Sequence, residues 1–261
     1  MYRLAPNIDL AFAEAGPDPA QRVRAVAAAG FDAVGMFGTL DKDVPALKRA
    51  LDETGVAVVS TVAMPYGEFV HPAADLGSFF AGLDRSLENT VALGSPRMVV
   101  TTGVGFPGFD RARNLDRLVD AMAEVVERTR GSGVLVLIEA VNTRVDHPGS
   151  LIDSTADAVR VARAIGDPSA FGITYDAYHS LVNGEDPTTE LANAGEYVGL
   201  VELAEVPGRG APGAAGTVDW QQILGVVRAS GYDGPIGLEV YERGHDSAAA
   251  LQAIRAIAAE A

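Results

Sequence analysis

Hydrophobic and polar positions along the chain follow a unit that recurs seven times. In each unit a stretch with apolar residues at helical spacing ends in glycine, and a run rich in β-branched residues follows, as in "AAAGFDAVGMF" and "GSGVLVLIEA". A glycine at this place is typical of a helix C-terminus, and the apolar run after it is typical of a buried strand. The marker glycines are Gly30, Gly55, Gly94, Gly133, Gly166, Gly195 and Gly231.

The repeat predicts a (β/α)8 barrel. The marker glycines are separated by 25 to 39 residues, about the length of one strand with one helix. The N-terminal "RLAPNIDLAF" supplies an eighth strand, and amphipathic stretches such as "VPALKRALDETG" supply eight helices in all. We therefore expect residues 1–261 to form a single α/β domain of the TIM-barrel type. The alternative, an open doubly wound sheet, normally carries G-x-G-x-x-G after its first strand, and "NIDLAFAEAGPDP" lacks it.

Composition and charge narrow the classes of function. Of 261 residues, 35 are acidic and 20 are basic, so the formal net charge is -15 and the surface repels phosphate backbones and anionic lipids. No apolar run approaches the ~20 residues that span a bilayer. The N-terminus lacks the pattern of a secretory signal, and the chain has no cysteine. We expect a cytoplasmic protein that binds a small molecule and neither nucleic acid nor membrane, and we leave homo-oligomerisation open.

Four consecutive predicted strands each end in a carboxylate. In this type of barrel the functional side chains lie at the carboxyl ends of the strands. The alternation of a strand places Glu139 on the barrel interior and its neighbours Val136 and Ile138 on the face that packs against helices. The same argument applies to all four carboxylates, which are Glu139, Asp176, Glu202 and Glu239 in predicted strands 5, 6, 7 and 8.

Carboxylates that converge in this way predict a bound cation. They repel one another and cannot all stay ionised within a few ångströms unless a positive ion lies among them. Oxygen ligands favour Mg²⁺ or Mn²⁺, and zinc is less favoured because the chain has no cysteine thiolate to offer. The sequence therefore predicts a divalent metal cofactor at the mouth of the barrel.

Several motifs resemble the hydroxypyruvate isomerase branch of the xylose isomerase-like barrels. They are "LIEAVNTR" (137–144), "YDAYH" (175–179), "VELAEVPGR" (201–209), "GTVDW" (216–220) and "GYDGPIGLEV" (231–240). The resemblance implies that the four carboxylates are metal ligands and that Glu139 and Glu239 also form an acid/base pair. It further implies that His179 and Arg209 contact the oxygens of the substrate.

The activity implied by the resemblance is isomerisation or epimerisation of a small hydroxy-carbonyl compound, either hydroxypyruvate/tartronate semialdehyde or a ketose. Chelation of the metal by an α-hydroxy carbonyl acidifies the C–H bond between its oxygens. One glutamate removes this proton to form an enediolate, and the other returns a proton to the neighbouring carbon. A Schiff-base aldolase is excluded because Lys42 and Lys48, the two lysines of the chain, lie away from strand ends.

Loop residues near the predicted mouth have less specific interpretations. Asn142 either orients Glu139 or contacts substrate, and Arg144 either binds a substrate carboxylate or forms a structural ion pair. Glu205 has the opposite parity to Glu202 and is expected in the loop or in a supporting contact. We interpret the glycine-rich "GRGAPGAAG" as a lid or a plain loop rather than a phosphate cradle.

Departures from the pattern of the branch concern the surroundings of the substrate. The position of Glu202 is usually glutamine or histidine, Asp146 lies one place from its expected position, and the segment after Arg209 lacks the usual histidine.

Two alternative functions stay open: a metal-dependent lyase or dehydratase acting on a sugar or cyclic polyol derivative, and a non-catalytic sugar-binding subunit. A related DNA-repair endonuclease needs a histidine-rich zinc set and a basic groove, which four histidines and a charge of -15 disfavour.

Overall fold

Eight parallel strands form the inner wall of the protein, seen in a computed structural model that describes residues 2–213, 216–241 and 246–260. The strands are β1 (Leu4–Pro6), β2 (Ala33–Gly35), β3 (Ala57–Val62), β4 (Arg97–Val100), β5 (Leu135–Glu139), β6 (Phe171–Asp176), β7 (Val198–Leu203) and β8 (Ile236–Leu238). Neighbours pair in the order β1-β8-β7-β6-β5-β4-β3-β2. A bridge between Asn7 and Gly35 joins the two ends of this order, and the Ile8 N–H adds a hydrogen bond to the Gly35 carbonyl at 3.0 Å. The predicted (β/α)8 barrel is confirmed.

Helices follow every strand and cover the outside of the barrel. They are α1 (Pro19–Ala28), α2 (Val44–Thr54), α3 (Leu76–Ala92), α4 (Arg111–Thr129), α5 (Thr155–Ile165), α6 (Ala177–Asn183), α7 (Pro187–Ala194), α8 (Trp220–Ala229), α9 (Ser247–Ala250) and α10 (Gln252–Glu260). The prediction of one helix per strand is wrong after β6 and after β8, which are each followed by two. After β6 the helix is divided because Gly184, with φ 85°, ends α6 and Pro187 begins α7.

The marker glycines lie where the sequence pattern places them. All seven have a positive φ, between 52° and 86°. Gly55 and Gly166 are the left-handed C-caps of α2 and α5, a conformation in which a side chain would be strained. Aspartates cap most helix N-termini, as at α8, where the Asp219 carboxylate accepts the N–H of Gln222 at 2.9 Å.

Side chains on the strands alternate between two apolar regions. Val136 and Ile138 pack outward against the helices, whereas Leu137 points into the barrel beside Val99 and Leu200. The predicted alternation is therefore confirmed, and it leaves the ends of the inward-facing rows free for polar groups. Within the described residues no helix has both the length and the apolarity needed to cross a membrane.

Candidate active site and metal centre

The structure brings all four predicted carboxylates together at the carboxyl ends of β5 to β8. Glu139 and Asp176 are the last residues of their strands, and Glu239 follows β8 directly. Glu202 pairs in register with Asp176 on one side and with Gly237 on the other. Asp176, Glu202 and Glu239 are buried, and the Glu139 side chain is 17% exposed. The inward rows of four neighbouring strands therefore end in one acidic cluster.

Two overlapping groups in this cluster have the spacing of metal ligands. Potential ligand atoms of Glu139, Asp176 and His179 lie within 4.8 Å of one another, and so do those of Asp176, Glu202 and Glu239. Asp176 belongs to both groups. The cluster is thus continuous across β5 to β8 rather than two separate sites.

Two buried oxygens in the cluster, Glu139 Oε1 and Asp176 Oδ2, have no hydrogen-bond donor among the residues that the structure describes. The other oxygen of Asp176 caps α6 and accepts the N–H groups of Tyr178 at 2.7 Å and His179 at 3.2 Å. Buried carboxylate oxygens are normally paired because leaving them unpaired is costly in free energy. Unpartnered oxygens within a cluster of four carboxylates fit a hard divalent cation.

Burial gives the glutamates of the cluster raised pKa values. Burial, followed by repulsion from the neighbouring carboxylates, raises the pKa of Glu139 and Glu202 well above the usual range. Burial also raises the pKa of Glu239 to about 7, although the Arg209 guanidinium opposes this shift. The protein therefore holds several negative charges together only against a considerable electrostatic penalty.

Arg209 reaches the cluster from the loop after β7. Its Nη2 lies 2.6 Å from Glu239 Oε2 and 3.8 Å from Asp176 Oδ2, and its backbone is left-handed with φ 56°. Burial works against the charge of Arg209, but Asp176, Glu239 and Glu139 outweigh it and raise its pKa further above the usual range. The guanidinium therefore stays charged and is paired mainly with Glu239.

His179 presents a hydrogen-bond donor to the cluster. Its Nδ1 accepts the backbone N–H of Asn142 at 3.1 Å, so the proton of a neutral ring resides on Nε2. Nε2 lies 3.5 Å from Glu139 Oε1 and 3.8 Å from Asp176 Oδ2. Burial lowers the pKa of His179 to about 4, which keeps the ring neutral. In this tautomer His179 suits contact with a substrate oxygen better than metal ligation.

Asn142 lies behind His179 rather than on the cavity. It is fully buried, its Nδ2 lies 2.6 Å from His179 Nδ1, and it donates to Asp146 Oδ2 at 2.7 Å. Asp146 also accepts the Tyr178 hydroxyl at 2.8 Å and lines the cavity, as His147 does. The described contacts of Asn142 orient His179, and its predicted roles toward Glu139 or the substrate stay predictions.

The structure does not bring Arg144 to the cavity. Its side chain is exposed and donates to the Val182 carbonyl at 3.2 Å, near the end of α6. Among the described residues that line the cavity, Arg209 is the one lysine or arginine.

Asn7 is a site residue that the sequence analysis missed. It follows β1 directly, is buried, and donates its Nδ2 to Glu239 Oε1 at 3.2 Å. Together with Arg209, which pairs with the other oxygen, it holds the Glu239 carboxylate on both sides. The rule that identified the four carboxylates, a polar residue at a strand end, also identifies Asn7 when it is applied to the first strand.

Glu205 supports the loop after β7. Its Oε2 accepts the indole N–H of Trp220 at 2.6 Å and the backbone N–H of Gly213 at 3.0 Å, and the side chain is buried. The prediction of a supporting contact is confirmed, because Glu205 ties the segment that carries Arg209 to the start of α8.

The fold and the cluster define a class of protein. A cavity of about 540 Å³ opens above the carboxylates at the carboxyl ends of the strands, the place where barrel enzymes bind small molecules. The chain belongs to the xylose isomerase-like TIM barrel family, whose sequence model matches residues 23–259.

Individual relatives agree with this assignment. The chain is 28% identical to the 2-oxo-tetronate isomerase of Cupriavidus necator in an alignment over 255 residues that covers 95% of this chain and 96% of the relative. It is 24% identical to the hydroxypyruvate isomerase of Escherichia coli in an alignment over 246 residues that covers 92% of this chain and 93% of the relative. A crystal structure titled AP endonuclease, family 2, from Brucella melitensis superimposes with a TM-score of 0.88, 25% identity and 97% coverage of both chains. The chain is accordingly an enzyme of the isomerase or epimerase type.

Proposed function

We propose that the protein is a metal-dependent isomerase or epimerase of a small hydroxy-carbonyl compound. The substrate is hydroxypyruvate/tartronate semialdehyde or a ketose, and a proton passes between carbons through an enediolate. The observation that carries the proposal is the pair of buried oxygens on Glu139 and Asp176 that have no partner among the described residues and belong to a cluster of four carboxylates. The isomerase names of two relatives that cover nearly the whole chain support the reaction type.

The cofactor in this proposal is Mg²⁺ or Mn²⁺. Its ligands are the four carboxylates of the cluster: Glu139, Asp176, Glu202 and Glu239. When bound, such an ion supplies Lewis acidity that polarises a carbonyl group and compensates the negative charge of the site.

Glu139 and Glu239 are the proton carriers in this mechanism. A carboxyl group transfers protons best when its pKa lies near the working pH, and the pKa of both groups is raised, that of Glu239 to about 7. Asn7 and Arg209 restrain Glu239 through its two oxygens, whereas no donor within residues 2–213, 216–241 and 246–260 reaches Glu139 Oε1, which can accept a proton. The two glutamates lie at the ends of β5 and β8, on either side of Asp176 and Glu202, and so approach a substrate from different sides.

His179 and Arg209 hold the oxygens of the substrate in place. The Nε2–H of His179 points between Glu139 and Asp176, and its low pKa ensures that it donates a hydrogen bond without adding a charge. Arg209 carries its charge to the same cluster.

Deuterium exchange tests the proposal. Incubation with a hydroxy-carbonyl compound in heavy water and Mn²⁺ should place solvent deuterium on carbon, as followed by NMR. Glu139→Gln and Glu239→Gln should each slow the exchange by ~10²–10⁴-fold, the usual worth of general acid-base catalysis. The matched control is Glu196→Gln, an exposed glutamate in the turn before β7, at the opposite end of the strands.

Each other outcome points to one of the alternatives. Net loss of water from the compound would indicate a lyase or dehydratase. Binding of Mn²⁺ and sugar without any exchange would indicate a sugar-binding subunit. Failure of the wild-type protein to bind Mn²⁺ in equilibrium dialysis would refute the proposal. The cytoplasmic location, the exclusion of nucleic acid and membrane as partners, and the oligomeric state stay predictions.

A further inference from the structure

Arg209 lies where the loops after β7 and β8 meet. Its backbone N–H donates to the Glu205 carbonyl at 2.9 Å, and its own carbonyl accepts the N–H of Tyr241 at 2.7 Å. Arg209 makes both bonds in the left-handed conformation, with φ 56°, which is uncommon for a residue other than glycine. Its backbone is therefore fixed by its neighbours, and the long side chain has to be held by other contacts.

The guanidinium of Arg209 lies over two tyrosine rings. Its Cζ is 5.2 Å from the centroid of the Tyr178 ring and 5.5 Å from that of the Tyr241 ring. A cation within about 6 Å of a ring centroid is attracted by the negative face of the ring. The rings come from different elements, since Tyr178 belongs to α6 and Tyr241 follows β8. The ends of β6, β7 and β8 thus all contribute to the place of one guanidinium.

Tyr178 is held more firmly than Tyr241. Tyr178 is buried, its hydroxyl donates to Asp146 at 2.8 Å, and its backbone N–H donates to Asp176 at 2.7 Å. Tyr241 is 44% exposed and lines the cavity. Tyr178 is not among the described residues that line the cavity, so its effect on a substrate passes through its neighbours.

The side chain that these rings cover carries an unused donor. Nη2 of Arg209 donates to Glu239 at 2.6 Å, whereas the buried Nε has no acceptor among residues 2–213, 216–241 and 246–260. The guanidinium is planar, so pairing at one edge and rings against its face together determine where the Nε–H points. A side chain that is held in advance loses less conformational entropy when a ligand binds than a mobile one does.

We propose that Tyr178 and Tyr241 are positioning residues for Arg209, and that their rings hold its guanidinium at the acidic cluster in the orientation that meets the substrate. This inference rests on the proposed function for the identity of the ligand, whereas the contacts between Arg209 and the two rings do not involve the substrate. The hydroxyl of Tyr178 has a different task, since it binds Asp146. Removal of the ring and removal of the hydroxyl should accordingly have different effects.

Solvent exchange of the Arg209 Nε–H tests the contact with the rings directly. The signal is followed by NMR in isotopically labelled, metal-free protein and is assigned by its loss in Arg209→Lys. In Tyr178→Leu the exchange should be roughly tenfold faster, in keeping with the usual strength of a buried cation–π contact. Tyr241→Leu should change it in the same direction by a smaller factor. In Tyr178→Phe the ring remains, and the exchange should stay close to that of wild type.

Tyr197→Leu is the matched control for these variants, because Tyr197 lies in the turn before β7, at the opposite end of the strands. An equal acceleration in this control would overturn the inference, and so would an unchanged rate in both ring variants. Tyr241 is 44% exposed and tolerates substitution, so its variant decides the question if Tyr178→Leu does not fold.

A double-mutant cycle shows whether Tyr178 acts on the ligand through Arg209. The ligand is hydroxypyruvate, and its dissociation constant on Mn²⁺-loaded protein is measured by isothermal titration. Tyr178→Leu should weaken binding roughly tenfold in the wild-type background and not at all in the background of Arg209→Gln. Tyr178→Phe keeps the ring and should restore most of the affinity that Tyr178→Leu loses. An equal loss in both backgrounds would show that Tyr178 acts independently of Arg209.

The inference and the proposed function fail in different ways. If the Nε–H responds to the ring variants, but the wild-type protein neither binds hydroxypyruvate nor places deuterium on a hydroxy-carbonyl compound, the positioning of Arg209 stands and the isomerase proposal is wrong. If the wild-type protein exchanges deuterium, and the ring variants change neither the Nε–H nor the affinity, the isomerase proposal stands and the positioning role is wrong.

Discussion

Glu202 owes its place in the cluster to the absence of a side chain on the neighbouring strand. Its register partner on β8 is Gly237, and a Cβ atom built at Gly237 would lie 2.7 Å from Glu202 Cγ and 2.9 Å from Oε1. Carbon atoms do not approach so closely without movement of one of them. The Glu202 side chain therefore requires a glycine at position 237 to take its place in the acidic cluster.

We predict that Gly237→Ala displaces Glu202 and weakens Mn²⁺ binding about tenfold or more, as measured by equilibrium dialysis. Gly225→Ala is the control. Gly225 lies exposed in α8, and an added Cβ meets nothing within 4 Å. That substitution should leave Mn²⁺ affinity unchanged and raise the free energy of unfolding by about 0.5–1 kcal/mol. Equal metal affinity in both variants would contradict the steric argument.

Glu202→Gln should retain Mn²⁺ binding. The amide oxygen of glutamine can still bind the metal as a neutral ligand. The substitution also removes a charge that Glu139 and Glu239 repel; burial, followed by this repulsion, raises the pKa of Glu202. Equilibrium dialysis at pH 8 gives the comparison with wild type, and complete loss of binding would show that the charge of Glu202 is required.

At the scale of single residues, the sequence predicted the four carboxylates of the cluster but not all of the residues around them. The four carboxylates could be predicted because each lies at a strand end with regular alternation. Asn7 could have been found by the same rule. Arg144 could not be placed, because its side chain leaves a loop whose course the alternation of a strand does not determine, and it turns toward Val182.

At the scale of elements, the loop after β7 is attached to α8 by one carboxylate. Glu205 accepts the Trp220 indole N–H and the Gly213 N–H, and the loop between them carries Arg209 to the cluster. The position of a site residue thus depends on a contact at the far side of its loop.

We predict that Glu205→Ala lowers the free energy of unfolding by about 1–3 kcal/mol, because the buried indole N–H of Trp220 loses its acceptor and so does the part-buried N–H of Gly213. Urea denaturation measures the change. In the background of Trp220→Phe the same substitution should have a smaller effect, since one of the donors is already absent. Additive effects of the two substitutions would show that the hydrogen bond contributes nothing.

The positions of the strands could be predicted from the sequence better than the number of helices. Glycine C-caps and the apolar runs after them located seven of the eight strands, because both signals are local. The division into α6 and α7 was missed, although Gly184 and Pro187 carry the usual signals for the end of one helix and the start of the next. These two signals were overlooked because the repeat led us to expect one helix per unit.

At the scale of the whole molecule, folding buries four acidic side chains in one cluster, and their burial and mutual repulsion oppose folding when they are ionised. A glutamate whose pKa is raised by folding favours the folded state most below its unfolded pKa of about 4.3. That contribution is lost as the pH rises through the folded value, which for Glu239 is about 7. The metal-free protein should therefore lose stability over this interval, and a bound divalent ion should restore it.

We predict that the stabilisation by Mn²⁺ grows between pH 5 and pH 8. The difference in free energy of unfolding between Mn²⁺-saturated and chelator-treated protein should reach about 2.7 kcal/mol at pH 8 when Mn²⁺ is at a hundred times its dissociation constant. At pH 5 it should be much smaller, because protons compete for Glu239. The same stabilisation at both pH values would contradict the assignment of these carboxylates as ligands.

Asn7 lies where the first strand meets both the second and the last strand, and its position affects when the active site is completed during synthesis. Its backbone joins the first two strands and donates its N–H to Leu238 at the end of the last strand, while its side chain contacts Glu239. A ribosome completes β1 long before β8 exists, so the residue that steadies Glu239 has no partner until the final strand docks. A nascent or truncated chain therefore lacks the finished site, and catalytic activity reports that the ring has closed.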